Sequence, residues 1–335
     1  MAEKNVATVN LRILRKNAQA VRKKAKTRLC AVVKADAYGH GAAEVASALH
    51  DLCDCFAVAL AEEALALRYA GVTKPILMLT PPLSVKEAAD CIFWDVTICV
   101  DSLSAAQKAL AGARQAKRRA LIQLAVDSGM HRLGVTASEA EEVIGFLEKT
   151  KQLLPVGVYS HFADTTDALY CQKQLAVFLS VAQKVKRLFP NVLLHIGATG
   201  ALNLPFSCSL DMVRVGLGLY GYGTEGVRPV MSLSAPVLRK GYLHYGEHLG
   251  YGKAKTGTGN YALCRIGYAD GALREGGAFT PRCMDLSYYP AAKIKGDKLP
   301  LIGDRTAEEL AKTENTVSYE ILCRYASRAQ KIYLR

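Results

Sequence analysis

The sequence predicts an α/β fold in which a (β/α)8 TIM-type barrel is followed by a smaller, mainly-β domain. Over the first 220 residues, short apolar and β-branched runs alternate with segments of helical period. There are eight such strand-then-helix units, the number that closes a parallel barrel. After about residue 224 the chain is rich in Gly and Pro and has only short alternating runs. We therefore predict a barrel over residues 1–224 and a β domain over residues 225–335.

The barrel is predicted to begin with a helix, LRILRKNAQAVRKKA, that Asn10 is placed to cap. The eight predicted strands are residues 29–35, 55–60, 75–80, 96–100, 120–126, 154–160, 192–197 and 212–221. Helices such as AEEALALRYAG and SEAEEVIGFLEKTKQL lie between them, and in the second Ser138 and Glu141 have capping-box spacing. An open doubly wound sheet is the alternative, but no GxGxxG motif follows the first strand.

The C-terminal domain contains one segment with a helical pattern. IGDRTAEELAKTEN predicts a short helix, and the TVSYEILCRYA that follows it predicts a strand. The remainder, from VRPVMSLSAPVLRKG to IGYADG, has short alternating runs separated by glycines. We expect these runs to form the strands of the domain.

The composition excludes several classes of protein. The chain has 335 residues, of which 50% are hydrophobic and 22% charged, so it can bury a large core. No run approaches the roughly 18 apolar residues of a membrane span, and the charged start does not resemble a secretion signal. The ten cysteines include no CxxC pair. We expect a cytoplasmic protein with reduced, buried thiols and no structural metal.

The net charge of +13 raises the question of a nucleic-acid partner. The densest basic runs, RKNAQAVRKKAKTR and RQAKRR, lie in segments of helical period and have no aromatic residues interleaved for base stacking. A solvated basic helix face explains them better. We expect neither a nucleic acid nor a membrane as partner.

Charged and polar residues collect where the predicted barrel strands end, which is the face on which barrel enzymes carry their active sites. The residues at these ends are Lys34, Asp36, Tyr38 and His40 after the first strand, Asp127, His131 and Arg132 after the fifth, Ser160 and His161 after the sixth, His195 and Thr199 on and after the seventh, and Arg214, Gly216 and Gly218 on and after the eighth. Any one of them has an ordinary structural explanation. Their common position favours a catalytic rim.

Lys34 is the most informative of these residues. It follows an apolar strand in AVVKADAYGHG, where an amine is costly unless it is neutral, paired or used covalently. A structural lysine with a buried carboxylate partner remains the alternative. Glycine-exposed N–H groups at Gly216 and Gly218, together with Thr199, suit a phosphate group. A Schiff-base lysine facing a phosphate cradle indicates pyridoxal 5'-phosphate (PLP).

With these motifs the chain resembles the alanine racemase family, nearly end to end. AVVKADAYGHG resembles the family's PLP-lysine motif, which implies that Lys34 binds the cofactor and Tyr38 its phosphate. VDSGMHRLGV resembles the segment whose arginine, Arg132, contacts the cofactor's phenolic oxygen and the substrate carboxylate. The resemblance of YSHFA, HIGATG and MVRVGLGLYG implies further cofactor contacts for His161, His195, Thr199, Arg214, Gly216 and Leu217.

The resemblance extends into the C-terminal domain. HLGYGK resembles the motif of the family's catalytic tyrosine, here Tyr251. IGYADG and CMD imply substrate contacts for Tyr268 and Met284, and CRYASR implies that Tyr325 is a phosphate ligand. A head-to-tail homodimer is implied as well, in which Tyr251 serves the active site of the partner subunit.

The implied activity is interconversion of L- and D-alanine, which supplies D-alanine for cell-wall peptidoglycan. Racemisation needs two bases on opposite faces of the substrate Cα, and Lys34 and Tyr251 are the implied pair. The resemblance also places Arg214 at the pyridine nitrogen, where a cation disfavours protonation of the ring. That electronic arrangement suits racemisation better than decarboxylation.

The chain departs from the family pattern in three places. Ala125 stands where the family often has a carbamylated lysine that orients the arginine, so Asp127, a bound anion or no group at all orients Arg132. Ala198-Thr199 replaces Asn-Ser in the phosphate loop, and the segment before Met284 is shortened. Two alternatives therefore stay open: a racemase of serine or lysine, and a PLP-binding homologue with weak turnover.

Overall fold

The structure is a computed structural model that describes residues 4–251, 257–274, 282–303 and 306–335. The chain divides into two compact units. The barrel unit comprises residues 14–37 and 42–228, and the C-terminal unit comprises residues 1–13, 38–41 and 229–335. The start of the chain and the short segment 38–41 thus group with the C-terminal unit rather than with the barrel that surrounds them in sequence.

The barrel unit contains an eight-stranded parallel sheet, as the sequence predicts. Its strands are β2 (Arg28–Val32), β3 (Cys55–Val58), β4 (Ile76–Met78), β5 (Val96–Val100), β6 (Ala120–Ala125), β7 (Leu153–Tyr159), β8 (Leu193–His195) and β9 (Met212–Val215). They follow the spatial order β8-β7-β6-β5-β4-β3-β2-β9. Backbone hydrogen bonds from Asp211 N to Leu194 O and from Arg214 N to Gly197 O join the two outer strands, so the barrel is nearly closed.

Helices connect these strands. They are α1 (Leu11–Ala25), α2 (Lys34–Tyr38), α3 (Ala42–Leu49), α4 (Ala61–Tyr69), α5 (Val85–Phe93), α6 (Leu103–Ala116), α7 (Ala140–Lys149) and α8 (Ala168–Leu188). The predicted cap of α1 is confirmed, because Asn10 Oδ1 accepts from Ile13 N at 3.0 Å. The element α2 was not predicted, since its residues were assigned to the end of the first strand and the loop after it.

The predicted cap of α7 is wrong by two residues. Glu139 Oε2 accepts from Thr136 N at 2.9 Å, and Thr136 Oγ1 accepts from Glu139 N at 3.3 Å. The reciprocal pair is therefore Thr136 and Glu139 rather than Ser138 and Glu141. Both pairs have the same spacing in the sequence, but the first helical hydrogen bond runs from Ala140 N to Thr136 O at 3.0 Å, which places the cap at Thr136.

The C-terminal unit is built on a mixed sheet. Its described strands are β1 (Val6–Asn10), β10 (Met231–Leu243), β11 (Gly259–Cys264), β12 (Ser287–Pro290), β13 (Lys298–Ile302) and β14 (Gln330–Leu334). Five follow the order β12-β11-β10-β1-β14, and β13 also pairs with β10. The sequence did not predict β1, which lies antiparallel to β10 and parallel to β14.

Two helices accompany this sheet. The short helix predicted in IGDRTAEELAKTEN is confirmed as α9 (Ala307–Thr313). The strand predicted for TVSYEILCRYA is wrong, because residues Ser318–Ala326 form α10. The apolar pairs at 321–322 and 325–326 are four residues apart and all buried, which is the spacing of one helix face.

All ten cysteines are unpaired, as predicted, but burial is confirmed for seven of them only, because Cys55, Cys283 and Cys323 are half-buried. Within the described ranges, no helix is both long and apolar enough to cross a bilayer.

Candidate active site

Arg214 lies in β9 and is 4% exposed, and hydrogen bonds hold its guanidinium on several sides. Its Nη1 lies 2.7 Å from His195 Nδ1 and donates to the His195 carbonyl at 3.2 Å. Its Nη2 donates to the Ser160 carbonyl at 2.6 Å and lies 3.2 Å from His161 Nδ1. Burial lowers the pKa of Arg214, but a guanidinium stays charged in proteins. Among the described residues no carboxylate pairs with this cation.

His195 is neutral, and its tautomer is set by a residue behind it. Its Nε2 lies 2.8 Å from Gln123 Oε1, which can only accept a hydrogen bond. Nε2 therefore carries the proton, and Nδ1 is left to accept from Arg214. Burial and the charge of Arg214 lower the pKa of His195 far below its usual value. Two neutral acceptors thus hold the arginine without cancelling its charge.

Tyr159 supports the same pair from a second side. Its ring stacks on the His195 ring at 5.4 Å, and Arg214 Cζ lies 5.2 Å from its centroid. The Tyr159 hydroxyl donates to Leu79 O at 3.0 Å and also lies 3.0 Å from Cys99 Sγ. Since each group is fixed by hydrogen bonds or stacking, the guanidinium is preorganised before any ligand arrives.

His161 shows that three predicted site residues are close together. Burial, together with the charges of Arg214, Arg132 and Lys34, lowers the pKa of His161 to about 3. Cations lower the pKa of a histidine only when they lie near its imidazole, so all three of these charges lie near His161. The barrel therefore brings Lys34, Arg132, His161 and Arg214 to one region that is rich in positive charge and holds a neutral histidine.

Lys34 begins a left-handed helical turn instead of ending a strand. The φ angles of Ala35, Asp36 and Ala37 are 51°, 53° and 55°, and Tyr38 follows at 54°. Consecutive non-glycine residues in this region cost roughly 1–2 kcal/mol each, so the surroundings must hold the turn in place. Strain of this kind concentrates at functional sites.

Two carboxylates hold the turn. Glu63 Oε1 accepts from Ala35 N at 2.6 Å, while its Oε2 accepts from Ala59 N and Leu60 N. Asp36 Oδ1 accepts from Ala42 N at 2.8 Å. The backbone on each side of the turn is therefore fixed, which leaves Lys34 half-buried at the catalytic end of β2.

The predicted phosphate residues form a compact turn after β9. Leu219 N donates to Gly216 O at 2.8 Å, which closes the turn, and Gly218 N donates to Thr199 Oγ1 at 3.1 Å. The first N–H groups of such a turn, those of Gly216 and Leu217, have no partner within it. Thr199 and Leu217 are both buried. The structure thus places Thr199, Gly216 and Leu217 together.

Arg132 is exposed and is not oriented by Asp127. Asp127 Oδ1 accepts from Gly129 N and His131 N, and its Oδ2 lies 3.0 Å from His131 Nδ1. No hydrogen bond or ion pair holds the Arg132 guanidinium in the described part of the chain. Ala125 itself is packed in a buried apolar cluster with Cys99 and Tyr159.

Tyr251 and Tyr38 both group with the C-terminal unit. Tyr251 is 84% exposed and is followed by residues 252–256, which lie outside the described ranges.

Tyr38 is buried, and its ring lies 5.6 Å from that of Tyr319. Gly39, at φ +78°, explains part of the motif, because a Cβ there would come within 2.8 Å of Leu322 O and Ala326 Cβ. A helix contact, rather than the cofactor, accounts for that glycine.

The predicted substrate residues Tyr268 and Met284 are adjacent. Tyr268 N donates to Cys283 O at 3.1 Å, and Ala269 N donates to Met284 O at 2.9 Å. Their side chains are 41% and 55% exposed. Most of the shortened segment before Met284, residues 275–281, lies outside the described ranges.

Tyr325 is buried, and its hydroxyl donates to Glu314 Oε1 at 2.6 Å. Burial and this carboxylate raise the pKa of Tyr325 above its usual range. Its role as a phosphate ligand stays a prediction.

The sequence interpretation missed Gln123 and Tyr159. Each lies on a barrel strand, two residues or fewer from the strand's catalytic end, and both point at His195. Gln123 was detectable as the one polar side chain inside the apolar run ALIQLAV, since burying an amide without a partner is costly. Tyr159 carried no such signal, because an aromatic residue is ordinary in a strand.

Models of the alanine racemase N-terminal domain and C-terminal domain match residues 9–224 and 230–333. The chain is 31% identical to the alanine racemase of Treponema pallidum over 99% of both proteins. It superposes on the alanine racemase of a D-cycloserine-producing Streptomyces lavendulae with a TM-score of 0.89, at 30% identity, covering 100% of this chain and 98% of that one. The Bartonella henselae alanine racemase with covalently bound pyridoxal phosphate superposes with a TM-score of 0.85, at 27% identity, covering 99% and 100%.

Proposed function

The chain belongs to the alanine racemase family, and we propose that it interconverts L- and D-alanine with PLP as cofactor and with Lys34 and Tyr251 as the two bases. Enzymes of this kind are isomerases. The observation that carries the residue assignment is the buried Arg214 cation, which two neutral histidines hold, together with the Lys34 charge that acts on one of them, His161. A racemase of serine or lysine, or a homologue with weak turnover, has no structural observation in its favour.

The residues present fit PLP. A buried guanidinium without a carboxylate partner in the described residues calls for an acceptor or an anion, and PLP supplies both a ring nitrogen and a phosphate. The turn at Gly216 offers backbone N–H groups to a phosphate. A side chain at Gly218 would crowd the turn itself, because a Cβ there would lie 3.0 Å from Val215 Cγ1 and 3.2 Å from Thr199 Cγ2. Thr199 would add a hydroxyl. A similar protein binds pyridoxal phosphate covalently.

PLP, when bound, supplies an aldehyde that combines with amines and a ring that delocalises the electron pair left at the substrate Cα. Arg214 would face the ring nitrogen and keep it unprotonated, because its charge is permanent. His195 holds the guanidinium in position from one side and His161 from the other. Because both histidines are neutral, neither is an imidazolium that could protonate that nitrogen.

Lys34 and Tyr251 would move the proton at Cα. The left-handed turn presents the Lys34 amine from a fixed backbone, so Nζ can remove or return a proton on one face. The exposed Tyr251 phenol would act on the opposite face, in the active site of the partner subunit. Arg132 and the Met284 backbone would bind the substrate carboxylate, with Tyr268 beside Met284. Tyr38, Tyr325, Thr199, Gly216 and Leu217 would hold the phosphate.

The proposal includes a homodimer, a cytoplasmic location and a supply of D-alanine for peptidoglycan. The exposure of Tyr251 supports the dimer, since its phenol is accessible to a second copy, whose substrate it must reach to act as a base. In a head-to-tail dimer, each active site would combine Lys34 of one subunit with Tyr251 of the other.

Mixing two inactive variants tests the proposal. Lys34→Ala and Tyr251→Phe should each abolish conversion of L-alanine to D-alanine, measured by chiral chromatography. After the two are unfolded, mixed and refolded, half of the dimers are hybrids with one intact site, so about a quarter of wild-type activity should return. A mixture of Lys34→Ala with the double variant is the control and should stay inactive. Activity in Lys34→Ala alone, or no recovery in the hybrid, would contradict the assignment.

A further inference from the structure

Most of the chain's net positive charge lies at one end of the barrel. Eight segments lead into the eight barrel strands: 22–28, 48–55, 68–75, 92–96, 114–120, 148–153, 184–193 and 209–212. They contain sixteen Lys and Arg and five Asp and Glu, a net charge of +11, against +13 for the whole chain. The rest of the chain is therefore nearly neutral. We call these eight segments the basic end.

The basic end lies opposite the active-site rim. In a closed parallel barrel the N-terminal ends of all strands meet at one end and the C-terminal ends at the other. The segments of the basic end precede the strands, whereas Lys34, His161, Arg132 and the turn at Gly216 follow them. A partner bound to the basic end would leave the catalytic rim open.

The acidic residues of the basic end are mostly engaged already. Asp54 pairs with Arg22 at 3.8 Å and Asp95 with Arg118 at 3.2 Å. Asp51 and Asp211 likewise have basic partners. In the described residues, exposed cations without a carboxylate partner include Lys23, Lys26, Arg114, Lys117, Lys149 and Arg187.

Helix dipoles do not account for this distribution. They favour cations in the last turn of a helix, and this explains Lys23, Arg114 and Arg187. Lys26, Lys117 and Lys151 lie beyond the helix ends, in the connections to the strands. The excess therefore follows the end of the barrel rather than the helices.

Exposed aromatic side chains lie within the basic end itself. Tyr69 ends α4 and is 72% exposed, and Phe93 ends α5 and is 59% exposed. Both rings pack edge-on against Trp94, with centroids 5.0 and 5.7 Å away. Arg118 donates to the Phe93 carbonyl, so the aromatic cluster and the basic residues are continuous.

We propose that the basic end docks on the surface of an anionic phospholipid bilayer. Its cations surround one end of a barrel, so a flat anionic surface can meet many of them together, whereas a nucleic-acid strand follows a line. Tyr, Trp and Phe beside Lys and Arg are the side chains that favour the headgroup layer. The lack of an apolar run long enough to span a bilayer, from which no membrane partner is expected, does not bear on surface contact, because such contact needs no span. The proposal is independent of the racemase assignment.

Vesicle co-sedimentation of the full-length protein tests the proposal. Vesicles of phosphatidylcholine mixed with phosphatidylglycerol should bind the protein, and pure phosphatidylcholine vesicles should not. Lys23→Gln/Arg114→Gln/Arg187→Gln removes three cations of the basic end from α1, α6 and α8. The matched control, Lys16→Gln/Lys108→Gln/Lys173→Gln, removes the same charge from the same three helices, farther from that end. The first variant should lose about a hundred-fold in affinity and the control much less.

A second pair of measurements separates the electrostatic contribution to vesicle binding from the apolar one. Binding should weaken as salt rises, because exposed charges are screened beyond about 10 Å at 0.1 M. Tyr69→Ser/Phe93→Ser should weaken binding further at the higher salt concentrations, where the apolar contact dominates. Alanine racemisation should be unchanged in every variant.

Three outcomes would overturn the proposal. The protein could bind neither kind of vesicle, or the two triple variants could lose affinity equally, which would mean that only total charge matters. It could also bind duplex DNA or single-stranded RNA but no vesicle, which would assign the basic end to nucleic acid.

Discussion

At the scale of single residues, the site depends on which groups stay uncharged. Gln123 fixes the His195 tautomer, His195 and His161 accept from or lie against Arg214, and the arginine keeps its charge. The sequence placed the histidines and the arginine at the catalytic rim but missed Gln123. An amide acts here through one hydrogen bond to a residue on another strand, and strand pairing is not visible in a single run of apolar residues.

Removing the Gln123 amide should disturb Arg214 through His195. Gln123→Leu leaves the buried Nε2–H of His195 without an acceptor, which should lower the free energy of unfolding by about 1–3 kcal/mol. Racemase kcat should fall with it, since the guanidinium loses its fixed partner. Urea unfolding and steady-state kinetics measure the two effects. Gln152→Leu, at an exposed glutamine immediately before β7, is the control and should change stability by less than about 0.5 kcal/mol.

Gly157 provides a second test of the same contact. It pairs with Gln123 across β6 and β7, and a Cβ there would lie 2.7 Å from Gln123 Cδ. Gly157→Ala should therefore displace the amide and reproduce part of the Gln123→Leu defect. Normal kinetics in Gly157→Ala would show that the amide position does not matter.

The two histidines should make stability depend on pH in a defined direction. The folded-state pKa of His161 is about 3, below the 6.5 of an ordinary histidine, so the unfolded chain takes up the proton first. The neutral histidine therefore contributes fully to the free energy of unfolding above pH 6.5. That contribution is lost as pH falls from 6.5 toward 3, by at most about 1.4 kcal/mol per pH unit. His195 acts in the same direction. Unfolding curves between pH 5 and 7 should show a smaller slope in His161→Gln, and an unchanged slope would contradict the assignment.

At the scale of elements, periodicity predicted the barrel and most of its helices because each strand-then-helix unit is locally encoded. It failed where long-range packing decided the structure. β1 is a strand because β10 and β14 pair with it, and α10 is a helix because both of its apolar pairs are buried on one face. The left-handed turn at Lys34 was also missed, since alanine disfavours a positive φ and aspartate adopts one as a single residue rather than in a run of four.

Because of the left-handed turn, we expect two substitutions at the exposed residue Ala35 to change stability in opposite directions. Ala35→Val places a β-branched side chain at φ 51° and should cost at least about 1–2 kcal/mol. Ala35→Gly adopts this φ without strain and should be neutral or slightly stabilising. Thermal unfolding of both variants measures the difference. Equal stability of the two would show that the turn is not left-handed.

The corrected cap of α7 makes a similar paired prediction. Thr136→Ala removes the side chain that accepts from Glu139 N and should lower the free energy of unfolding by about 1 kcal/mol. Ser138→Ala should have little effect, although its hydroxyl lies 2.9 Å from Thr136 Oγ1. A larger loss for Ser138→Ala, measured by urea unfolding, would restore the cap predicted from sequence.

At the scale of the whole molecule, the proposed site residues are divided between the two units. The barrel unit carries Lys34, His161, Arg132 and Arg214, and the C-terminal unit carries Tyr251, Tyr268 and Met284. The motifs allowed all seven to be named from the sequence, because each is a short local signature. The orientation of Arg132 could not be predicted, since Ala125 removes the family's orienting residue and Asp127 is engaged by His131.

The fate of the substrate α-hydrogen tests the central claim most directly. L-Alanine is converted by the holoenzyme in D2O, and the first-formed D-alanine is analysed by chiral chromatography and mass spectrometry. With Lys34 and Tyr251 on opposite faces of Cα, one base removes the hydrogen and the other supplies a deuteron, so D-alanine should carry deuterium at Cα from the start. D-Alanine that retains the original hydrogen would mean that a single base acts, and absence of D-alanine would mean that the chain does not racemise alanine.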